Sequence, residues 1–192
     1  MKWFILSFIG VLLWSCQGKT SSGTDGDEQV SVPDTVLAYK YKESGKKKSA
    51  NGDQQGAIDD YTKAIYFNPN YDTAYHNRGV VKAAIGDYNG ELSDYRLAIK
   101  ICKPNADLYN NLGRALYDLE RFKESAEAYG EGIKHFPKDY RLYYGRGLAR
   151  KRIGDKKGAC EDWMKSSELG CVQANILLPL CDEYMKERTD SL

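Results

Sequence analysis

The sequence predicts an all-α solenoid made of about four helix hairpins and a C-terminal capping helix. Residue types recur every 34 positions, so one structural unit is repeated along the chain. A Gly-Asp pair also stands near the middle of three of the four units, at residues 52–53, 86–87 and 154–155. Glycine tolerates the left-handed conformation that ends one helix, and the aspartate can cap the start of the next. Each unit is therefore expected to hold two helices.

Four columns carry the period over four units. They hold tyrosines, glycines, large aromatic residues and small residues, in that order: Tyr41, Tyr75, Tyr109 and Tyr143; Gly45, Gly79, Gly113 and Gly147; Tyr61, Tyr95, Tyr129 and Trp163; Ala64, Ala98, Gly132 and Ser166. Aromatic side chains fill the seam between helices, and small residues let backbones approach. One hairpin cannot bury its own apolar face, whereas stacked hairpins can.

Composition excludes several classes of protein. The chain has 192 residues, of which 42% are hydrophobic and 29% are charged, as in globular proteins, so global disorder is excluded. A formal net charge of +1 argues against a general nucleic-acid binder, which needs a basic surface. Five cysteines are too few for a dense disulfide scaffold, and two histidines leave little room for a multi-histidine metal site.

The first 34 residues are expected to be a targeting segment and a tether. Lys2 is followed by an uncharged apolar stretch that is shorter than the roughly 20 residues of a membrane-spanning helix, which predicts a signal peptide over residues 1–15. Leu13-Trp14-Ser15-Cys16 resembles a bacterial lipobox, which implies cleavage before Cys16 and lipid on that residue. Residues 16–34 are polar and predict a flexible tether. The alternative is an ordinary signal peptide with a chance cysteine.

The 34-residue pattern resembles the tetratricopeptide repeat (TPR) over about residues 35–187. The resemblance implies antiparallel helix pairs in a right-handed superhelix, with units that begin near residues 38, 72, 106 and 140. A capping helix is expected near 172–187 and a tail over 188–192, and Pro179 is expected to kink the cap or mark its true start.

Glu91 and Ser125 replace the family's alanine, which predicts looser packing of the second and third pairs. The last unit also resembles Sel1-like variants.

In the TPR family the first helices of the units line a concave groove. Mapped residue by residue, the resemblance predicts that a peptide is bound by Lys42, Lys46, Asn77, Asn110, Asn111, Arg114, Tyr117, Arg141, Tyr144, Lys151 and Arg152, with Tyr39 beside them. Six of these are cations and only Asp107 and Asp118 oppose them, so an acidic segment or a free C-terminal carboxylate is the expected ligand. The alternative is a solvated helix face. The carboxylate clamp of some family members is not expected, because too few of its residues are present.

No catalytic residue, cofactor or metal ligand is predicted. The sequence has no phosphate-cradling glycine motif, nucleophile elbow or paired-histidine motif. His76 and His135 fall nearly two units apart. The cysteines after Cys16 are expected to be small buried thiols. The alternative, which stays open, is a disulfide between Cys160 and Cys181 that ties the last hairpin to its cap.

These observations predict a lipid-anchored, non-catalytic adaptor or scaffold that binds a protein or peptide. The expected location is the bacterial cell envelope, at the outer membrane on its periplasmic or surface side. Neither nucleic acid nor a small-molecule substrate is expected as a partner. By analogy it resembles TPR lipoproteins that serve barrel-assembly machines or act as pilotins. A self-associating structural scaffold and a cell-envelope enzyme are the alternatives.

Overall fold

The computed structural model describes residues 33–181. The predicted signal peptide, the predicted lipidation site at Cys16, nearly all of the tether and the tail lie outside the described residues. Within 33–181 the chain forms helices and turns, with no strand. The helices are α1 Thr35–Ala50, α2 Gln54–Phe67, α3 Asp72–Ala84, α4 Tyr88–Ile101, α5 Ala106–Asp118, α6 Phe122–His135, α7 Tyr140–Arg152, α8 Lys156–Glu168 and α9 Val172–Asn175.

The prediction of an all-α solenoid of four hairpins is confirmed. Units 1 to 4 are the pairs α1–α2, α3–α4, α5–α6 and α7–α8, and each helix packs mainly on its neighbours in the chain. Helices α3, α5 and α7 begin at residues 72, 106 and 140, where the columns place the start of a unit. Helix α1 begins at Thr35, because the carboxylate of Asp34 accepts a hydrogen bond from the Leu37 N–H at 2.9 Å and caps it.

The predicted Gly-Asp turns are also confirmed. Gly52 and its counterparts in units 2 and 4 have φ of 83°, 84° and 86°. The aspartate that follows each glycine accepts a hydrogen bond from the N–H three residues later, at 2.9 Å in all three units. In unit 3 the left-handed position is taken by Glu120, with φ of 59°, and Arg121 makes no capping bond with its side chain.

The glycine column permits the helices of a hairpin to touch. A Cβ atom at Gly113 would lie 2.6 Å from the Tyr129 ring, and one at Gly147 would lie 2.4 Å from the indole nitrogen of Trp163. The expected loosening at Ser125 is wrong, since this residue is fully buried and its hydroxyl donates to the Gly113 carbonyl at 2.7 Å. Glu91 is also buried, and burial raises the pKa of its carboxyl group.

A buried ionic column runs through units 1, 2 and 4, and the sequence analysis missed it. In unit 2 the Asp94 carboxylate, 2% exposed, accepts two hydrogen bonds from Arg78 at 2.7 and 3.0 Å and lies 3.0 Å from the Lys82 ammonium. Unit 4 repeats this arrangement with Arg146, Arg150 and Asp162. Unit 1 keeps only one of the cations, and Lys48 pairs there with Asp60. Unit 3 carries Leu112, Leu116 and Ala128 at the same positions.

The single cap helix expected near 172–187 is interrupted. Helix α9 ends at Asn175, residues 176–177 form a turn, and the chain is helical again from 178 to the end of the described range at 181. Proline lacks the N–H that would bond to the Asn175 carbonyl in a continuous helix, so Pro179 stands in the first turn of a new segment. No helix among residues 33–181 combines the length and the apolar character needed to cross a membrane.

Candidate functional site

Units 2 to 4 hold two pockets that are formed mainly by first helices. The polar pocket has a volume of about 280 Å³ and is lined by Asp72, Thr73, His76, Asn105, Asp107, Leu108, Asn110, Asn111 and Arg141. The tyrosine pocket has a volume of about 480 Å³ and is lined by Asn110, Arg114, Tyr117, Asp118, Tyr129, Tyr140, Arg141, Tyr144, Gly145, Leu148, Cys171 and Gln173. Asn110 and Arg141 belong to both pockets, so the two adjoin.

The structure brings together six of the residues predicted for the groove. Asn110, Asn111, Arg114, Tyr117, Arg141 and Tyr144 line one or both pockets. The remaining predicted residues lie on other parts of the first helices. Lys42 and Lys46 stand on α1, Asn77 stands on α3, and Lys151 and Arg152 stand at the end of α7. Units 3 and 4 therefore hold the centre of the candidate site.

Ion pairs inside the groove reduce its free positive charge. Arg141 donates to Asp139 at 2.6 Å and to Asp107, one unit away, at 2.7 Å. These bonds raise the pKa of the Arg141 guanidinium and lower the pKa of the Asp139 carboxyl. Lys42 pairs with Glu43, and Arg114 lies 3.8 Å from Asp118. Three of the six predicted cations therefore face an acid of the chain itself.

The other three cations form no ion pair with a described residue. Lys46 is exposed on α1. The Lys151 ammonium lies 5.9 Å from the centre of the Trp163 ring. The Arg152 guanidinium lies 4.1 Å from the Phe122 ring and 5.9 Å from the ring of Tyr117, which lines the tyrosine pocket. Contacts with aromatic faces hold Lys151 and Arg152 without neutralising them.

The tyrosine pocket has an aromatic floor that the sequence analysis did not predict. Tyr129 comes from the second helix of unit 3, and its ring lies under Gly113 of α5 and Gly145 of α7. A Cβ atom at Gly145 would stand 2.3 Å from Cζ of Tyr129. Units 1 to 3 carry Glu43, Asn77 and Asn111 at the position of Gly145. This break in the column was the signal available in the sequence.

The two histidines belong to separate helices and pack on different tyrosines. The His76 ring of α3 stacks on Tyr95 at 5.9 Å, and the His135 ring of α6 stacks on Tyr109 at 5.7 Å. Among residues 33–181 no group of three or more histidine, cysteine, aspartate or glutamate side chains is arranged to hold a metal ion.

The cysteines depart in part from the sequence-based preference for buried thiols. Cys160 of α8 and Cys181 form a disulfide with Cα atoms 5.5 Å apart, so the preference is wrong for this pair. Residues 172–181 pack back against α8, which brings Cys181 to Cys160. Cys171 is a buried free thiol, as expected, and Cys102 is a free, half-buried thiol.

Comparisons with known proteins match this architecture. Residues 45–86 match a family model described as TPR repeat, and residues 106–139 match one described as tetratricopeptide repeat. The chain is 29% identical over 126 residues to small glutamine-rich tetratricopeptide repeat-containing protein 2 of Mycosarcoma maydis. That alignment covers 66% of this chain but 36% of the relative, so this chain spans about a third of the relative's length.

Solved structures agree with the fold. The crystal structure of MamA superposes with a TM-score of 0.67 at 24% identity, covering 80% of this chain and 85% of that chain. YrrB, a TPR protein with an unusual peptide-binding site, superposes with a TM-score of 0.63 at 20% identity, covering 81% of each chain. Identities this low show the fold alone. The two family matches support the TPR repeat family, and the solved structures show that residues 33–181 have the fold of a TPR solenoid.

Proposed function

We propose that this protein is a lipid-anchored, non-catalytic adaptor that binds a protein or peptide segment in its concave groove. One observation carries the proposal: the first helices of units 3 and 4 present asparagine, tyrosine and arginine side chains into two adjoining pockets. Asparagine amides can bond a peptide backbone, and tyrosines offer apolar area with a polar tip. TPR proteins are generally non-enzymatic interaction scaffolds, and the similar protein YrrB has a peptide-binding site.

The preferred ligand carries negative charge. Lys46, Lys151 and Arg152 lack an acid partner among the described residues, and the 3.8 Å contact of Arg114 with Asp118 is long enough to be exchanged for a ligand carboxylate. Arg141, which already holds two carboxylates, acts in this proposal as part of the scaffold of the groove rather than as a ligand-binding cation.

The anchor part of the proposal rests on the lipobox-like residues 13–16. A lipid on Cys16 would hold the adaptor firmly at a bacterial envelope membrane, because more than one acyl chain is buried. The proposed membrane is the outer membrane. The pilotin and assembly-machine analogies and the Sel1-like character of unit 4 stay predictions of the sequence.

Reversal of the unpaired groove charges is expected to abolish capture of the partner. The variant Lys46→Glu/Lys151→Glu/Arg152→Glu changes cations that form no ion pair within residues 33–181, so the folded state is expected to be retained. In-cell crosslinking followed by affinity capture should identify a partner with the native protein and lose it with this variant. Circular dichroism checks that the variant is folded.

The matched control reverses three exposed lysines on second helices, Lys63, Lys100 and Lys123. This control is expected to keep the partner, because these three lysines line neither the polar pocket nor the tyrosine pocket. Equal capture by all three proteins would contradict binding in the groove. Light scattering would then test the alternative of a self-associating scaffold. The exposed apolar side chains of Val172, Ile176 and Leu180 are candidates for the contact between copies of the chain.

Replacement of Cys16 by serine is expected to release the protein from membranes, because serine cannot take the thioether-linked lipid. The measurement is the fraction that pellets with membranes after cell lysis, compared with the native protein. A Cys171→Ser variant is the control, since that thiol is buried in the solenoid. Unchanged pelleting of Cys16→Ser would disprove the lipid anchor and leave groove binding untouched.

A further inference from the structure

The tyrosine pocket differs from the rest of the groove in having an apolar centre. The rings of Tyr117, Tyr129 and Tyr144 and the side chain of Leu148 surround it. The Tyr129 ring can form the floor because Gly113 and Gly145 both lack a Cβ atom where this ring passes. A volume of about 480 Å³ falls within the roughly 300–1,000 Å³ of small-ligand pockets, so one large side chain fits.

The rim of this pocket is cationic and polar. The Arg114 side chain is more than half exposed, and its contact with Asp118 is the long one of 3.8 Å. Arg152 stands over the ring of Tyr117 and has no acid partner among the described residues. Asn110 from α5 and Gln173 from α9 add amide groups. A cationic guest would meet three arginines here, Arg114 and Arg141 in the lining and Arg152 beside it, whereas an aromatic guest meets ring edges and faces.

We propose that the tyrosine pocket is an anchor subsite that takes one aromatic side chain of an extended partner segment. Arg114 and Arg152 receive carboxylates that flank this aromatic residue, and Asn110 bonds the backbone between them. The inference rests on the proposed groove function and assigns its specificity to units 3 and 4. Offset and edge-to-face ring contacts with Tyr117, Tyr129 and Tyr144 favour an aromatic guest over an aliphatic one.

The first experiment is a selection from a random peptide library displayed on phage, with the full chain immobilised from detergent. Peptides with Phe, Tyr or Trp next to Asp or Glu are expected to be enriched. Enrichment of peptides without an aromatic residue overturns the inference, as does no enrichment over a bare surface. The crosslinking experiment with the charge-reversed variant judges the groove function independently of this library.

The second experiment measures affinity for one enriched peptide by fluorescence anisotropy. Tyr144→Ala is expected to weaken binding by about tenfold or more, as truncation of a buried aromatic contact does at interfaces, and Tyr144→Phe is expected to bind like the native protein. Tyr140→Ala removes a side chain that lines the pocket and is 40% exposed, so this variant tests the pocket with little risk to folding.

Tyr88→Ala is the control for Tyr140→Ala, because both tyrosines open a helix and are about half exposed. It is expected to leave the affinity unchanged. If the charge-reversed groove loses the peptide while Tyr140→Ala and Tyr144→Ala keep it, the anchor subsite is wrong and the groove function stands.

A double-mutant cycle tests the carboxylates. Changing the peptide's flanking Glu to Gln should weaken binding to the native protein and leave binding to Arg114→Gln unchanged. An equal loss on both proteins would show that the acid contacts another group and would overturn the assignment of Arg114.

Light scattering with increasing protein concentration tests a second copy of the chain as the guest, and a mass increase lost in Tyr144→Ala would overturn the peptide assignment.

Discussion

Replacement of Asp94 by alanine is expected to lower the free energy of unfolding by about 3 kcal/mol, because it removes one partner of a buried ion cluster. Arg78 and Lys82 would keep their charges with side chains only 14% and 19% exposed. Urea unfolding followed by far-UV circular dichroism measures the change, and an unchanged dependence on urea concentration confirms that the same structure unfolds.

Unit 3 supplies the design of the control. The triple variant Arg78→Leu/Lys82→Leu/Asp94→Ala gives unit 2 the residues that unit 3 has as Leu112, Leu116 and Ala128, and it is expected to recover most of the lost stability. Replacing a complete buried ion cluster by apolar residues is often neutral or stabilising. A triple variant as unstable as Asp94→Ala would show that unit 2 depends on the ions themselves.

An exposed ion pair gives the second comparison. The Lys165–Glu168 pair on α8 is about half exposed on both sides. Water and salt screen such a pair, so Glu168→Ala is expected to change stability little. An effect at Glu168 equal to that at Asp94 would show that burial is not the reason for the cost.

The sequence predicted the backbone of this fold because the repeat makes the same local choices several times. The Gly-Asp turns, the glycine column against its aromatic column and the starts of α3, α5 and α7 are each fixed by conformational and packing rules within one hairpin. The ionic column also has the 34-residue period, since Asp94 follows Asp60 by one unit and precedes Asp162 by two. It was missed because buried acids are rare in proteins, so the recurring aspartate was not considered as part of the core.

The site was predicted less well, because its charges interact across units. Asp107 and Arg141 occupy the same position of consecutive units, and from the sequence they were expected to be two independent groove charges. In the structure they pair at 2.7 Å. The floor of the tyrosine pocket is Tyr129 of a second helix, which approaches α7 because Gly145 has no Cβ atom. Such features depend on how neighbouring units pack, which the pattern within one unit does not contain.

Reduction of the Cys160–Cys181 disulfide is expected to lower the free energy of unfolding by about 3 kcal/mol. The cross-link closes a loop with a sequence separation of 21, and a constraint of this length restricts the unfolded chain by roughly that amount. The measurement compares urea unfolding with and without dithiothreitol. Alkylation under denaturing conditions first verifies the pairing: Cys102 and Cys171 are expected to react at once, and Cys160 and Cys181 only after reduction.

The double variant Cys160→Ala/Cys181→Ala controls for other effects of the reductant. It is expected to match the reduced native protein and to be insensitive to dithiothreitol, since the other cysteines after Cys16 are free thiols. Hydrogen exchange should rise most at residues 172–181, because the disulfide ties this segment to α8, where Cys171, Ala174 and Cys181 pack with Trp163. Equal unfolding curves with and without reductant, in a protein whose pairing alkylation has verified, would show that packing against Trp163 alone fixes the segment.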